Sequence, residues 1–335
     1  SFRKNNLYTH PFRSRRHLRN GSHGARPWFL IMSISLTILG CHSATPRTFA
    51  YPTSQFLSIN NEHFLIDCGE GTQVQLRKHK VKFSKISRIF ISHLHGDHYF
   101  GLVGLISTFS LYQRQTELHI YGPKGIKEIT ELQLKLGKSF LSYDLVFHEL
   151  GSKKSELIFE SDKVSVFTIP LNHRVYTNGY LFKEKIGERK LNMAAVGKIK
   201  DIDTCDYQNL KNGKDFILEN GTVIKNEKLT SNPPPPKSYA FCSDTSFYPK
   251  IVPLIKDVDL LYHESTFLES DAKLATKTKH STASEASTIA QQAQVNQLIL
   301  GHFSSRYTDE SLFLKEALNQ FENVVLAKEG LVISI

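Results

Sequence analysis

Four side chains of the metal-binding kind fall within six positions: His93, His95, Asp97 and His98, in the run Ser92-His93-Leu94-His95-Gly96-Asp97-His98. The run follows the apolar segment Arg88-Ile89-Phe90-Ile91, which reads as a buried strand. In an extended stretch His93 and His95 project to the same side and can share one ion. Asp97 and His98 come at the turn into the next helix and can face a second. Imidazole and carboxylate are common zinc ligands, and a catalytic site keeps a position for water. Whatever fold the chain adopts must therefore bring further ligands to the end of this strand.

The rest of the chain has the pattern for that. Strand-like runs cover Ile34–Leu39, Gln55–Ile59, His63–Asp67, Arg88–Ser92, Glu117–Tyr121, Val164–Ile169, Tyr180–Phe182, Tyr239–Ser243, Leu260–His263, Gln297–Leu300, Val324–Leu326 and Leu331–Ile333. Helical spacing covers Thr72–Lys78, Phe100–Tyr112, Gly125–Leu136, Ser281–Gln294 and Asp309–Asn319. Strands with intervening helices imply an α/β layered fold, sheets covered by helices. His173, Asp244 and His302 each fall at or near the end of an expected strand, so such a fold can gather them on one rim. The stretch 183–237 breaks the rhythm: it is polar, thin in apolar pattern and ends in Pro233–Pro236. It reads as an insertion without core pattern.

The net charge of +10 is misleading as a sign of nucleic-acid binding, because residues 1–31 hold seven basic side chains and no acidic one. Without them the balance is 35 basic against 32 acidic. Met32 opens the first patterned strand, so residues 1–31 are expected to be a basic disordered extension, with a targeting segment as the alternative. The sequence Trp28–Gly40 followed by Cys41 imitates a lipoprotein signal. However, Ile34, Leu36 and Ile38 alternate with Ser33, Ser35 and Thr37, the period of a half-buried strand. Cys41, Cys68, Cys205 and Cys242 are far apart, which argues against a disulfide framework and a cysteine zinc site. No apolar run is long enough to span a bilayer.

His93-Leu94-His95-Gly96-Asp97-His98 resembles the signature of the metallo-β-lactamase fold superfamily. Leu65-Ile66-Asp67-Cys68-Gly69-Glu70-Gly71-Thr72-Gln73 resembles the corresponding segment of ribonuclease Z, the endonuclease that trims precursor tRNA. Pro170-Leu171-Asn172-His173, Phe241-Cys242-Ser243-Asp244-Thr245, His263-Glu264-Ser265-Thr266 and Gly301-His302-Phe303-Ser304-Ser305-Arg306-Tyr307 also resemble that family, in the form found in Bacteroidetes. The resemblance runs from Met32 to the C-terminus. It implies a metallo-β-lactamase-type αβ/βα four-layer sandwich with a protruding insertion arm, residues 32–335 forming the nuclease domain.

The resemblance also implies roles. His93, His95 and His173 would hold one zinc, Asp97, His98 and His302 a second, and Asp244 would bridge both. Two such ions can activate a shared water and stabilise an in-line displacement. Asp97 would accept the proton of the attacking water. His263, oriented by Glu264, would protonate the leaving ribose 3′-oxygen, a task suited to imidazole. Asp67 and His280 would support the ligands from behind, as carboxylates commonly do for metal-bound imidazoles; a helix cap is an equal reading of His280-Ser281-Thr282. The insertion, with Lys183, Lys185, Arg189, Lys190, Lys198 and Lys200, would grip the tRNA through its phosphates. Precursor tRNA as partner, a homodimer and a cytoplasmic location complete the expectation. Two rivals remain: another hydrolase of this superfamily acting on a small ester, sulfate or lactone, and a tRNA-binding protein with a structural metal.

Overall fold

A computed structural model describes residues 33–45 and 47–335; the expectation for residues 1–31 lies outside the described residues. In chain order the main strands are β1 (Ile34–Gly40), β2 (Ser54–Ile59), β3 (Glu62–Cys68), β4 (Arg88–Phe90), β5 (Leu118–Pro123), β6 (Leu145–Leu150) and β7 (Leu157–Glu160). They continue as β8 (Val164–Pro170), β9 (Asn178–Glu184), β10 (Ser238–Cys242), β11 (Leu260–Glu264), β12 (Gln297–Gly301), β13 (Val324–Leu326) and β14 (Val332–Ser334). The helices are α1 (Thr72–Lys78), α2 (Gly96–Tyr99), α3 (Leu102–Leu111), α4 (Ile126–Leu136), α5 (Met193–Val196), α6 (Tyr207–Lys211), α7 (Asn226–Leu229), α8 (Ala272–Thr278), α9 (Ala283–Gln292) and α10 (Ser311–Ala317).

The strands form two seven-stranded sheets, ordered β14-β1-β2-β3-β4-β5-β6 and β13-β12-β11-β10-β9-β8-β7. Period-two alternation decides what each face buries. Ile34, Leu36 and Ile38 of β1 join Phe64 and Ile66 of β3 in the core between the sheets, opposite Val164 and Val166 of β8 and Tyr239 and Phe241 of β10. The alternate residues Phe56, Leu65 and Ile89 face outward and pack under α1, α3 and α4 through Leu76, Leu105, Ile106 and Leu134. The small face of α9 (Ala283, Ala286, Ala290) and Phe313 of α10 cover the second sheet. This is the expected αβ/βα four-layer sandwich.

The direction of the strands matters most for the site. β3 and β4 are parallel, β10, β11 and β12 are parallel, and β8 lies antiparallel to β9, which is antiparallel to β10. β8 therefore runs the same way as β10 to β12. The C-terminal ends of these strands collect on one rim.

The insertion corrects the sequence reading in two ways. Lys183 and Glu184 belong to β9, with Lys183 paired to Ser238 of β10. The remainder is not coreless: Val196, Ile202, Leu210 and Leu229 are buried together, with Leu191, Ile199, Tyr207, Phe216 and Ile224 packed on them. Its apolar residues come from elements of two to five residues, too short for either periodicity to register.

Candidate metal centre and active site

Each expected ligand lies just past a strand or in the turn that leaves it. His93 and His95 follow β4, and Asp97 and His98 open α2. His173 follows β8, Asp244 follows β10 and His302 follows β12. Asp67, Asp244 and His302 hold φ of +55°, +61° and +63°. Each such left-handed residue costs about 1–3 kcal/mol unless its surroundings hold it, and such strain gathers at functional sites.

The seven residues form two groups that share one carboxylate. His93 Nε2 and His173 Nε2 lie 2.9 and 3.3 Å from His95 Nδ1, and 3.6 and 3.8 Å from Asp244 Oδ2. The other oxygen, Asp244 Oδ1, lies 3.2 Å from His98 Nε2 and 3.3 Å from His302 Nε2, and each of these nitrogens is 3.6 Å from Asp97 Oδ2. One oxygen of Asp244 thus faces each group.

The hydrogen bonds behind the imidazoles set their tautomers. His98 Nδ1 lies 2.7 Å from Asp67 Oδ2, and the backbone N–H of Ser92 donates to Asp67 Oδ1 at 2.7 Å. The Ser92 hydroxyl donates to Asp67 Oδ2, so it accepts from His93 Nδ1 at 3.0 Å. His173 Nδ1 donates to the Lys279 carbonyl at 2.9 Å. Thr266 Oγ1 donates its one proton to Glu264 Oε2 at 2.6 Å and accepts from His302 Nδ1 at 2.9 Å. With Nδ1 protonated in each case, every Nε2 turns a lone pair toward the two carboxylates. His98 Nε2 and His302 Nε2 are buried with no hydrogen-bond partner among the described residues. Lone pairs and carboxylate oxygens converging in a buried place require cations between them. The donor set fits divalent metal ions.

The carboxylates favour positive charge between them, as a proton or as a metal ion: burial opposes the charged form of His98, yet Asp244, Asp97 and Asp67 outweigh it and raise its pKa well above the usual range. Burial opposes ionisation of Asp244, yet His302, His98 and His93 hold its carboxyl well below the usual carboxylate range. Burial and the neighbouring His98 push His93 well down, toward the neutral form a metal ligand needs.

His263 stands apart. Successive residues of a strand point to opposite faces, so His263 and Glu264 at the end of β11 cannot both face the metal-ligand groups. Glu264 does, and His263 donates from Nδ1 to the Glu264 backbone carbonyl at 2.7 Å. Glu264 thus orients His263 through its backbone carbonyl, while its carboxylate turns to other partners. The Glu264 carboxylate binds His280 Nδ1 at 2.8 Å and accepts from the backbone N–H groups of Thr245, Thr266 and Ser281. His280 stacks near His302 with ring centroids 5.4 Å apart and lies 4.0 Å from Asp244 Oδ2. Burial lowers its pKa, but Glu264 outweighs this and raises it to about 9.

The basic residues of the insertion divide. Lys183 lies with Nζ over the Phe167 ring, Lys185 pairs with Glu160 at 2.9 Å, and Arg189 donates to Thr230 Oγ1 at 2.7 Å and to Asn232. Lys190, Lys198 and Lys200 are solvent-exposed.

Facing sheets, outer helices and two ligand groups sharing a carboxylate define a candidate metalloenzyme of the metallo-β-lactamase fold. The metallo-β-lactamase fold protein YhfI of Bacillus subtilis shares the fold, with a TM-score of 0.63 at 18% identity over 90% of this chain and 99% of that one. A family model described as anti-Pycsar protein Apyc1 matches residues 34–175. The chain belongs to the ribonuclease Z family: it is 48% identical over 300 residues to Ribonuclease Z of Bacteroides fragilis, covering 90% of this chain and 98% of that protein. Ribonuclease Z of Porphyromonas gingivalis is 43% identical over 303 residues, covering 90% of this chain and 99% of that one. The short form of human tRNase Z has a TM-score of 0.66 at 27% identity, over 90% of this chain and 99% of that one.

Proposed function

We propose that this protein is a metal-dependent endoribonuclease that removes the 3′ trailer of precursor tRNA, leaving a 3′-hydroxyl on the tRNA and a 5′-phosphate on the trailer. The observation that carries the reading is the Asp244 carboxylate, with one oxygen toward each ligand group, in a chain of the ribonuclease Z family. We assign the cofactor as two zinc ions. One would be held by His93, His95 and His173, the other by Asp97, His98 and His302, with Asp244 between them. Bound there, the ions supply Lewis-acid activation of water and neutralise charge on the phosphate.

The chain's own groups do the rest. Asp97 accepts the proton of the attacking water as its oxygen bonds to phosphorus on the side opposite the ribose 3′-oxygen. The bond from phosphorus to the 3′-oxygen breaks, and that oxygen takes a proton. His280 is the donor we assign in place of His263, because Glu264 fixes its Nδ1 side and leaves Nε2 for the substrate. Lys190, Lys198 and Lys200 hold phosphates of the tRNA body remote from the scissile bond. Residues 32–335 constitute the nuclease domain, working as a homodimer in the cytoplasm; no described helix is long and apolar enough to cross a membrane.

Supplying the purified full chain with a 3′-extended tRNA and, separately, with small carboxylic esters, sulfate esters and lactones tests this reading. The expected result is tRNA cleavage far above any small-substrate turnover. Fast turnover of a small ester, sulfate or lactone with the tRNA left intact would overturn it.

A further inference from the structure

Between β1 and β2 the chain loops over the ligand rim, and one of its peptide groups touches the rim. Ala44 N–H donates to Asp97 Oδ2 at 2.9 Å, the same oxygen that faces His98 Nε2 and His302 Nε2. Ala44 has φ +51° and is the only alanine in the left-handed region among the described residues. An L-alanine adopts that conformation only where its surroundings hold it.

Those surroundings are specific. Ser43 N–H donates to the carbonyl of Phe303, the residue after His302, at 3.0 Å. His42 is 6% exposed and is held at both ring nitrogens: Nδ1 lies 3.1 Å from Glu329 Oε1, and Nε2 lies 2.9 Å from Glu310 Oε1. An imidazole that donates from both nitrogens is protonated. Glu329 Oε1 also accepts from Tyr51 N–H at 2.9 Å, and His42 N–H donates to the Tyr51 carbonyl at 3.1 Å. The two ends of the loop are thereby tied together and to the segments carrying Glu310 and Glu329. Cys41 Sγ is 3.8 Å from His42 Nδ1, but carboxylates engage both ring nitrogens, so the cluster is an ion triad rather than a third metal site.

We infer that the His42–Glu310–Glu329 triad is a positioning device for Asp97, holding Ala44 in its left-handed turn so that the Ala44 N–H fixes the orientation of the Asp97 carboxylate. His42 acts only through Ala44. The consequence for rate rests on the role proposed above for Asp97, whereas the consequence for the Ala44 amide does not. A carboxylate free to rotate loses alignment with the reacting atoms, and small misplacements of such groups cost rate rather than affinity.

Three variants of the full chain, loaded with zinc, test the inference, with His42→Ala alone as the reference for the last: His42→Gln, Glu310→Gln at the outer end of the triad, and His42→Ala combined with Ala44→Gly. Amide exchange at Ala44 is read by NMR, and kcat and KM are read on a 3′-extended tRNA. Exchange at Ala44 should speed up about tenfold in His42→Gln and less in Glu310→Gln. kcat should fall about tenfold and threefold, respectively, with KM held within about twofold. Against His42→Ala alone, added Ala44→Gly should restore kcat about threefold, because glycine adopts positive φ without the steric cost that alanine pays. Unchanged exchange at Ala44 in both single variants would overturn the inference, as would losses confined to KM. If the unmodified protein leaves tRNA uncut, the proposed function fails and the exchange measurement alone decides this point.

Discussion

The Glu264 carboxylate lies 2.8 Å from His280 Nδ1, sixteen residues along the chain, while the imidazole beside it in sequence, His263, reaches only the Glu264 backbone carbonyl. The pairing joins the end of β11 to the turn before α9 and sets one titratable imidazole beside the ligand rim.

That relationship separates two neighbouring histidines experimentally. His280→Ala should lower kcat on precursor tRNA by about a hundredfold or more, the usual contribution of a general acid. It should affect an activated phosphodiester less, because a good leaving group needs little protonation. His263→Ala should lower the melting temperature while leaving the ratio of the two rates unchanged. Rate measurements on both substrates check this; a leaving-group-dependent loss in His263→Ala would return the role to that residue.

Among the described residues, Asp244 is the one carboxylate with an oxygen toward each ligand group. Elemental analysis of the purified protein should approach two metal ions per chain, and Asp244→Ala should lower occupancy at both positions. His302→Ala should empty one and leave the other largely filled. Loss of a single ion in Asp244→Ala would contradict the shared carboxylate.

Much of this site is legible in the sequence because the fold converts strand ends into a rim. His93, His95, Asp97 and His98 announce themselves by spacing, whereas His173, Asp244 and His302 fall at or near strand ends but are marked as ligands only by the resemblance to the ribonuclease Z family. The alternation of Ile34, Leu36 and Ile38 likewise marks that segment as a strand with one buried face, and the three side chains lie in the core between the sheets. The contact of the Glu264 carboxylate with His280 is not legible in the sequence, where adjacency points to His263, because neighbours in a strand turn to opposite faces. β6 escaped notice because all its residues are half-buried or exposed, leaving no contrast between faces. No residue of β7 is fully buried and α8 buries only Ala275, so neither shows a patterned face. The buried cluster of the insertion is drawn from elements of two to five residues, each too short to show a face of its own.

The His42 triad makes stability depend on pH in a defined direction. Burial disfavours the imidazolium, but Cys41, Glu310 and Glu329 outweigh it and raise the pKa to about 11. A group whose folded pKa is raised contributes fully below its unfolded pKa, about 6.5, and the contribution is lost as pH rises through the folded value. In urea unfolding of metal-free protein, the stability advantage of wild type over His42→Gln should be largest near pH 6 and shrink steadily toward pH 10. An advantage that grows with pH would show a neutral imidazole.

In the insertion, the structure narrows which basic residues are available. Replacing Lys190, Lys198 and Lys200 with alanine should raise KM for precursor tRNA about tenfold and flatten its salt dependence, since up to three phosphate contacts are lost. Lys185→Ala should do less, because Lys185 already pairs with Glu160. Turnover of a small phosphodiester should change little. An unchanged KM in the triple variant would mean that the insertion is a solvated appendage.

The central claim is tested most directly by mapping the ends of the products. Incubating the zinc-loaded protein with a precursor tRNA labelled on both sides of the 3′ junction should give a tRNA ending in a 3′-hydroxyl and a trailer beginning with a 5′-phosphate. Cleavage should vanish in Asp97→Ala and after chelation. A 2′,3′-cyclic phosphate on the tRNA, or an uncut precursor beside an active preparation, would contradict the account.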